Sequence, residues 1–285
     1  MRPLLCLLAL LAAGPALAQN DPTWTQPIAP FKIAGNLYYV GSKGLASYLV
    51  TTQEGHILIN ANLEESVPQI RASIEKLGFK LADVKVLLIS HAHFDHDAGG
   101  AALKKLTGAS YQVMDADVPN VVTGGLTDFM YGRDRRKVYP PVAVDRVLHD
   151  GDEVTLGGTT LVAHLTPGHT KGCTTWTLRI KDGGKTLDAV IVGSPYVNPG
   201  YQLFNNFQYL DIARDYEKTF QVLAALPCDL FLGAHGAYFG MDAKLAKLKK
   251  GGPNPFVDPE GYKKFVAATE KAFRDEVARQ RQLAK

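Results

Sequence analysis

Short apolar runs separated by glycine-containing turns dominate the first part of the chain. They predict a β-meander and lie at residues 37–40, 47–51 and 56–60. A helix is predicted next, with Gly78 just after its end, because apolar residues recur at helical spacing at Val67, Ile70, Ile74 and Leu77. The run at residues 86–89 predicts a buried strand, and a further helix is expected at about residues 101–106.

The second half of the chain repeats this order of strands and helices. Gly157-Gly158 predicts one hairpin turn and residues 182–184 predict another, with strands at 154–156, 160–165, 174–180, 189–192 and 231–232. One helix is indicated by Ile212, Tyr216, Phe220 and Leu223. A terminal helix begins at Asp258-Pro259 and has apolar positions at Tyr262, Val266, Phe273 and Val277.

Strands followed by helices, twice over, favour an α/β protein in which two sheets pack face to face with helices outside them. The segment at residues 123–141 contains a glycine pair, the aromatic residues Phe129 and Tyr131, and four basic residues. It fits neither a strand nor a helix, so we expect a long loop. Long loops in compact domains often carry function.

The first residues have the pattern of a secretory signal peptide. Arg2 precedes an apolar run at residues 4–13, and residues 16–18 form an Ala-Leu-Ala cleavage site. Gly14-Pro15 ends the run before it reaches the about 20 apolar residues that a membrane span needs. We therefore expect cleavage after Ala18, export to the periplasm, and a single domain at residues 19–285.

Composition and charge exclude several classes of protein. The chain has 285 residues and a formal net charge of +3, which is too small an excess to indicate a nucleic-acid or membrane partner. Three cysteines exclude a disulfide-dense scaffold and a four-cysteine zinc module. Cys6 belongs to the predicted leader, and we expect Cys173 and Cys228 to be unpaired, buried thiols. An exported enzyme or binding protein remains, and we expect it to be a monomer.

The strongest chemical signal is the segment His91-Ala92-His93-Phe94-Asp95-His96, which follows the predicted strand at residues 86–89. Imidazole and carboxylate groups are preferred ligands of Zn²⁺. In a strand-like entry, His91 and His93 point to the same side and can bind one metal together. Asp95 and His96 follow where the chain turns and can face a second metal. The alternative is a solvated polar loop. This alternative is disfavoured because the preceding strand has the apolar pattern of a buried strand.

Two further histidines lie in similar contexts. His169 follows a Pro-Gly turn after a predicted strand, and His235 lies in a Gly-Ala-His-Gly segment after another. Glycine neighbours let the backbone approach a site closely. Each would alone be taken as structural, but beside the cluster both become candidate ligands, since a catalytic zinc needs three protein ligands. The remaining histidines are expected to be structural or surface residues: His56, His149 and His164.

These residues resemble the metallo-β-lactamase superfamily, whose H-x-H-x-D-H signature is met at residues 91–96. The similarity is closest to the subclass B3 metallo-β-lactamases and extends over essentially the whole mature chain. Three features indicate the subclass: the segment TPGHTKGCTTW at residues 166–176, the segment VNPGY at 197–201, and the pair His96 and His235.

The resemblance implies a four-layer αβ/βα sandwich with two zinc ions at one edge of the two sheets. It implies that one zinc is held by His91, His93 and His169. The other zinc would be held by Asp95, His96 and His235. Metals in such pairs lie about 3.5–4 Å apart.

One position separates the lactamases from other hydrolases of the superfamily. Related thioesterases and most lactonases carry a bridging aspartate after the late strand predicted here at residues 189–192, whereas this chain has Ser194. A serine fits subclass B3, and other lactamases use a cysteine there. The chain also differs from many members of the superfamily at Asn60, where those members have a buried aspartate. Replacing that aspartate by asparagine removes a charge behind the metal ligands, which can alter metal affinity. Pro195-Tyr196 beside Ser194 is also unusual.

The resemblance implies hydrolysis of the β-lactam amide of penicillins, cephalosporins and carbapenems by a zinc-bound hydroxide. Zinc brings the pKa of bound water to about 7, so that hydroxide is available at neutral pH. Asp95 would be a ligand that also orients the hydroxide. Ser194 and Asn198 are candidates for binding the substrate carboxylate, with ordinary loop hydrogen bonding as the alternative.

Other residues near the predicted site have two interpretations. Phe129, Tyr131 and Tyr196 can form apolar walls of a substrate pocket or act as packing residues. The basic run at residues 133–137 is expected to be a solvated loop face rather than a binding patch.

Two other functions stay open. The first is another dizinc hydrolase, a thioesterase or lactonase, which the missing bridging aspartate disfavours. The second is an exported binding protein without catalytic activity, which the complete set of ligand positions disfavours. A nuclease of the superfamily is not expected, because the chain lacks a large inserted domain and a basic excess.

Overall fold

The computed structural model describes residues 21–283, and the predicted leader at residues 1–18 lies outside this range. Within it the chain forms two β-sheets and seven α-helices. The first sheet contains β1 Phe31–Ala34, β2 Leu37–Tyr39, β3 Tyr48–Thr52, β4 Gly55–Ile59, β5 Val84–Leu88, β6 Ser110–Met114 and β7 Arg146–Leu148. The second contains β8 Glu153–Leu156, β9 Thr159–Leu165, β10 Thr174–Asp182, β11 Lys185–Val192 and β12 Leu230–Gly233. The helices are α1 Val67–Lys76, α2 Phe94–Asp97, α3 Gly100–Thr107, α4 Val118–Thr123, α5 Ile212–Ala225, α6 Met241–Lys250 and α7 Pro259–Leu283.

Both sheets combine antiparallel and parallel pairing. In the first, β1 to β4 form an antiparallel meander and β4 to β7 are parallel neighbours. In the second, β8 to β11 are antiparallel and β12 is parallel to β11. Parallel neighbours need a crossover, usually a helix. Helix α1 connects β4 to β5, α3 connects β5 to β6, and α5 connects β11 to β12.

The two sheets pack face to face over the larger hydrophobic core. In β4, Ile57 and Ile59 face this core, and Leu58 between them faces a second core with α1 and α3. Helices α5 and α7 add Phe220 and Phe273 to the larger core. The layers run helix, sheet, sheet, helix, which confirms the predicted αβ/βα sandwich.

Local sequence signals account for several of these elements. Gly157 and Gly158 have φ values of +51° and +77°, as the turn between two twisted strands requires, and β8 and β9 flank them. Asp258 accepts a hydrogen bond of 2.9 Å from the Gly261 N–H at the start of α7. Helix α7 buries Tyr262 and Phe273, so the predicted hairpin and terminal helix are both confirmed.

Several elements were not predicted from the sequence. Strands β1, β6 and β7 and helices α4 and α6 are short, from three to ten residues. Three-residue and four-residue strands carry too few positions to show a period. The segment after α4 is a loop, as expected, with one 3₁₀ turn at Arg135–Lys137.

The predicted strand-like entry to the histidine cluster is wrong in detail. Strand β5 ends at Leu88, and the next two residues are held by other segments of the chain. The Ile89 carbonyl accepts a hydrogen bond of 2.9 Å from the Trp176 indole. The Ser90 N–H donates to Asn60 Oδ1 at 2.7 Å, and the Ser90 carbonyl accepts from the Thr174 N–H at 2.7 Å. These bonds replace the strand ladder.

Two further sequence expectations concern the cysteines and membrane-spanning helices. Among residues 21–283, both Cys173 and Cys228 are free thiols, Cys173 fully buried and Cys228 only partly. No helix in the described part of the chain has the length and apolar character needed to cross a membrane.

Replacing Trp176 by phenylalanine tests how the two sheets are joined. The indole is buried in β10 and reaches the Ile89 carbonyl, which directly follows β5 of the opposite sheet. The Trp176→Phe variant loses this donor and part of the packed volume, so the free energy of unfolding should fall by about 1–3 kcal/mol. Denaturant unfolding of the metal-free protein measures this. The matched control is Tyr262→Phe, which removes a hydroxyl donor to the Leu223 carbonyl without loss of ring volume and should have a smaller effect. A Trp176→Phe variant as stable as the parent would contradict the prediction.

Candidate metal centre and active site

The carboxyl ends of several strands meet at one edge of the sandwich. The segments after β5, β9 and β12 carry all six predicted ligands: His91, His93, Asp95 and His96 after β5, His169 after β9, and His235 after β12. Ligand sites in α/β sheets commonly form at the carboxyl ends of strands. The fold thus brings residues from distant parts of the chain to one place.

His91, His93 and His169 form one buried group. Each offers a ligand nitrogen, and these nitrogens lie within 4.8 Å of one another. The ring centres are 4.8 Å apart for His91 and His93, 4.6 Å for His91 and His169, and 4.8 Å for His93 and His169. Three imidazoles at this spacing can converge on one ion.

Asp95, His96 and His235 form an adjacent group. His96 Nε2 lies 3.1 Å from His235 Nε2, and Asp95 Oδ2 lies 3.3 Å from His96 Nε2 and 3.5 Å from His235 Nε2. Ligands bound tetrahedrally to zinc at about 2.0–2.1 Å are roughly 3.3 Å from one another. The three separations therefore fit one zinc ion. His91, Asp95 and His96 also have ligand atoms within 4.8 Å, so the two groups share a border.

The other ring nitrogens show which atoms are free to bind a metal. His169 Nδ1 lies 2.8 Å from the Tyr196 carbonyl, which only accepts, so Nδ1 carries the proton and Nε2 is left free. His93 Nε2 lies 3.4 Å from Asp128 Oδ2, which favours Nδ1 as its ligand atom. His91 Nε2 is buried with no hydrogen-bond partner among residues 21–283, as expected of a metal ligand. The donor set and these free nitrogens fit zinc.

Burial sets the protonation of these side chains. It lowers the pKa of His169 to about 3 and that of His235 to about 4, with neighbouring imidazoles acting in the same direction. Burial likewise holds the pKa of His91 well below its ordinary value. The imidazoles of His91, His169 and His235 are therefore neutral at neutral pH, the form that binds a metal.

Asp95 is ionised for a different reason. Burial alone would raise the pKa of its carboxyl, but the adjacent His96 imidazole holds that pKa far below its usual value. The group thus offers a negatively charged oxygen to a cation at any pH near neutrality. His93 is also exceptional, since burial would lower its pKa but the Asp128 carboxylate raises it.

Asn60 supports the cluster from below. Its φ is +68°, a conformation that asparagine tolerates better than most residues. Besides accepting from the Ser90 N–H, its side chain donates to the Ala46 carbonyl at 3.3 Å. The amide oxygen of Asn60 thus has a donor and its amide nitrogen has an acceptor, an arrangement that suits asparagine.

The two residues predicted to bind substrate occupy different positions. Asn198 is half-buried and donates to the Tyr131 hydroxyl at 3.0 Å, so it joins the loop that carries Tyr131 to the loop after β11. Ser194 is buried, and its hydroxyl lies 3.1 Å from the Tyr238 hydroxyl. Tyr238 in turn packs on His235 with ring centres 5.0 Å apart. The loop hydrogen bonding named as the alternative is therefore present at both residues.

The three residues proposed as walls of the substrate pocket lie in different surroundings. Tyr131 packs edge-on against His93 at 5.2 Å, and Tyr196 is partly exposed beside Tyr238. Phe129 packs instead against Tyr201 and Tyr209 in the larger core. In the basic run, Arg133, Arg135 and Arg136 are exposed as expected, while Lys137 is half-buried with its Nζ 3.9 Å from the centre of the Phe94 ring.

The three other histidines lie in separate places. His56 packs against Phe79, His149 lies beside Asp115 on the surface, and His164 is within 2.8 Å of the Thr177 hydroxyl. None of these contacts involves the cluster.

The sequence analysis missed several residues near the cluster, among them Trp24 and Asp128. Trp24, in a 3₁₀ turn at Pro22–Trp24, has its ring 5.9 Å from those of Phe94 and His235. Asp128 accepts hydrogen bonds from the Met130 and Tyr131 N–H groups as well as facing His93. An aspartate within the long loop is a signal that could have indicated Asp128, but Trp24 had none.

The fold and the cluster together define a zinc-binding hydrolase of the αβ/βα sandwich class. The family model described as the metallo-β-lactamase superfamily matches residues 44–235. The chain belongs to this superfamily.

Solved structures of subclass B3 enzymes are similar over nearly the whole chain. The native FEZ-1 metallo-β-lactamase from Legionella gormanii is 53% identical, with 90% of this chain and 98% of that chain covered and a TM-score of 0.89. BJP-1, a subclass B3 metallo-β-lactamase of Bradyrhizobium japonicum, is 38% identical over 93% of this chain and 99% of that chain, with a TM-score of 0.87. The class B3 di-zinc enzyme LRA-12 from an Alaskan soil metagenome is 35% identical over 91% and 98%, with a TM-score of 0.87. The resemblance to subclass B3 is thereby confirmed.

Curated proteins are more distant. A lactamase-like protein of Penicillium aethiopicum is 26% identical over 230 residues, which is 80% of this chain, and the chain spans 62% of that protein's length. A metal-dependent hydrolase of Anaeromyxobacter sp. is 27% identical over 215 residues, 74% of this chain and 69% of that protein.

Removing His235 tests the second group of ligands. The His235→Ala variant removes one of the three metal ligands of this group and leaves only Asp95 and His96. Since even residues behind the ligands cost about 10–100-fold in metal affinity when replaced, zinc held by this group should bind at least that much more weakly. Equilibrium dialysis with metal analysis measures the zinc bound per chain. His149→Ala, which removes an exposed imidazole, is the control and should bind zinc like the parent. Equal zinc binding by the two variants would refute the role of His235.

Proposed function

We propose that this protein hydrolyses the β-lactam amide bond of penicillins, cephalosporins and carbapenems with two zinc ions. The observation that carries the proposal is the buried cluster of histidine and aspartate donors, with Ser194 in place of a bridging aspartate. The similarity to solved subclass B3 metallo-β-lactamases over at least 90% of the chain supports the same reaction.

The two groups of donors divide between the two ions in this proposal. His91, His93 and His169 hold the first, and Asp95, His96 and His235 hold the second. When bound, zinc supplies a hydroxide at neutral pH and stabilises negative charge that develops on the substrate. No serine or cysteine nucleophile is needed.

The residues of the chain supply position and electrostatics. The ionised Asp95 carboxylate contacts His96 and His235 of its own group, and it lies within 4.8 Å of a ligand nitrogen of His91 in the first group. From there it accepts a hydrogen bond from the attacking water and orients it. Positioning of this kind matters because a displacement of about 1 Å can cost on the order of 10²-fold in rate.

The substrate side of the site is built by two loops. Asn198 and Tyr131 meet across the mouth at 3.0 Å, and Tyr131 covers the His93 ring. The Asn198 amide is the group proposed to bind the substrate carboxylate. Ser194, buried against Tyr238, is proposed to act on the same side of the site, through a hydroxyl that can turn from Tyr238 towards a ligand.

We also propose that the protein works in the periplasm as a monomer. The support for export is the sequence pattern of the leader at residues 1–18. The proposed partner is a small β-lactam molecule. The low net charge of +3 supports the absence of nucleic-acid and membrane partners.

Another dizinc hydrolase, a thioesterase or lactonase, is the second candidate. One curated relative is described only as a metal-dependent hydrolase, which is the observation in its favour. The serine at position 194 is the observation against it.

Hydrolysis assays with and without a chelator test the proposed reaction. The purified mature protein should hydrolyse both a chromogenic cephalosporin and a carbapenem, should lose this activity with a chelator, and should regain it with added zinc. Absorbance at the β-lactam chromophore measures turnover. The His149→Ala variant should behave like the parent. Zinc-dependent turnover of thioesters or acyl-homoserine lactones without β-lactam turnover would overturn the proposal in favour of the second candidate.

Separate variants of Asn198 and Tyr131 test the substrate contact. Asn198→Ala removes a hydrogen bond to a charged group, which is worth about 1.5–3 kcal/mol, so KM should rise by roughly 10–100-fold with a smaller change in kcat. Tyr131→Phe removes the hydrogen bond between the loops but keeps the Asn198 amide, and it should leave KM nearly unchanged. An equal rise of KM in both variants would show that Asn198 acts by joining the loops.

A further inference from the structure

A buried carboxylate outside the ligand set links two of the ligand-bearing loops. Asp117 lies after β6, at the start of α4, and is fully buried. Its Oδ2 accepts hydrogen bonds of 2.8 Å from the Ala92 N–H and of 2.8 Å from the Thr170 hydroxyl. Its Oδ1 accepts one of 2.8 Å from the Gly172 N–H.

The three donors belong to the loops that hold the first group of histidines. Ala92 stands between His91 and His93, and Thr170 follows His169 directly. These loops come from different sheets, since one follows β5 and the other follows β9. One side chain therefore fixes the distance between them at the level of the ligands.

The contact is close enough to constrain the sequence of the second loop. A Cβ atom at Gly172 would lie 2.4 Å from the Asp117 backbone nitrogen and 2.7 Å from its Cβ. Only glycine fits there without moving the loop. On the other side of the first loop, the Tyr139 hydroxyl donates to the Ala92 carbonyl at 3.0 Å, so both polar groups of the Ala92 backbone unit are held.

The chemistry of the three donors selects a carboxylate. Two N–H groups and one hydroxyl all point at oxygen atoms, and an ionised carboxylate accepts at both oxygens. An asparagine would place its amide N–H₂ against at least one of these donors. A buried donor left unpaired costs about 1–3 kcal/mol, which the loops can avoid only by moving.

We propose that Asp117 is a positioning residue that holds the His91–His93 loop and the His169 loop in register for the first metal. It touches neither metal nor substrate and acts through the Ala92 and Thr170 backbone segments. The inference rests on the proposed function only for the assignment of these three histidines to one ion.

The test compares metal binding in Asp117→Asn with that in Asp145→Asn, using the mature protein. Asp145 is a matched control, because its carboxylate also accepts a hydrogen bond from a backbone N–H, that of Tyr111 at 2.7 Å. It pairs with Lys104 of α3 and lies just before β7, away from the ligand loops. Zinc affinity is measured by competition with a chromogenic chelator. Geometry at the metal is measured from the visible absorption of the cobalt-substituted protein.

Asp117→Asn is expected to bind the first metal about 10–100-fold more weakly and to show an altered cobalt spectrum. Asp145→Asn is expected to keep the affinity and the spectrum of the parent even where its unfolding midpoint falls. A purely structural role would lower stability in both variants without separating them in metal binding.

A second pair of variants decides the matter if Asp117→Asn does not fold. Thr170→Val removes one of the three donors, and Thr170→Ser keeps it. Thr170→Val should weaken metal binding in the same direction as Asp117→Asn but less, and Thr170→Ser should restore the parent's affinity. Parent-like affinity and spectrum in both Asp117→Asn and Thr170→Val, or in Thr170→Val alone where Asp117→Asn is unfolded, would overturn the inference.

The two levels of proposal fail in different ways. If the parent binds zinc but does not hydrolyse β-lactams, the proposed function fails, and weaker metal binding by Asp117→Asn still supports the inference. If the parent hydrolyses β-lactams and Asp117→Asn binds metal like the parent, only the inference fails.

Discussion

Burying many polar ligand atoms in one place is the constraint on which this structure depends. Four imidazoles and one carboxylate of the cluster lie almost entirely out of water, and a buried polar atom without a partner is costly. His91 Nε2 has no partner among the described residues, so a metal ion is the partner that satisfies it. The same burial lowers the pKa of His91 and His169, so these two imidazoles are neutral and ready to bind.

The cluster is held by a surrounding layer of hydrogen bonds rather than by its own loops. Tyr196 offers its carbonyl to His169, Asp128 faces His93, and Asn60 fixes the backbone just before His91. Each of these contacts comes from a different segment of the chain. The orientation of the His169 and His93 rings is thus a property of the assembled sandwich, and Asp117 extends this layer to the backbone between the ligands.

The sequence predicted the fold class and the candidate ligands because both depend on local patterns. Period-two and helical spacing identified the longer elements, and the run at residues 91–96 carried a recognisable ligand set. The same patterns did not predict short strands such as β7. They also gave a wrong prediction for the backbone after β5, where a strand-like course was expected. There the Trp176 indole and Asn60 take the place of a strand ladder, and no pattern within residues 86–93 records those distant partners.

By itself, then, the sequence determined which side chains are available to bind zinc and that serine replaces aspartate at position 194. Only the tertiary structure decided how His169 and His235 meet the cluster, that Ser194 is buried against Tyr238, and that Trp24, Asp117 and Asp128 surround the site. The physical reason is that ligand identity is a chemical property of single residues. Distances of a few ångströms between residues far apart in sequence arise only when two sheets pack their strand ends at one edge.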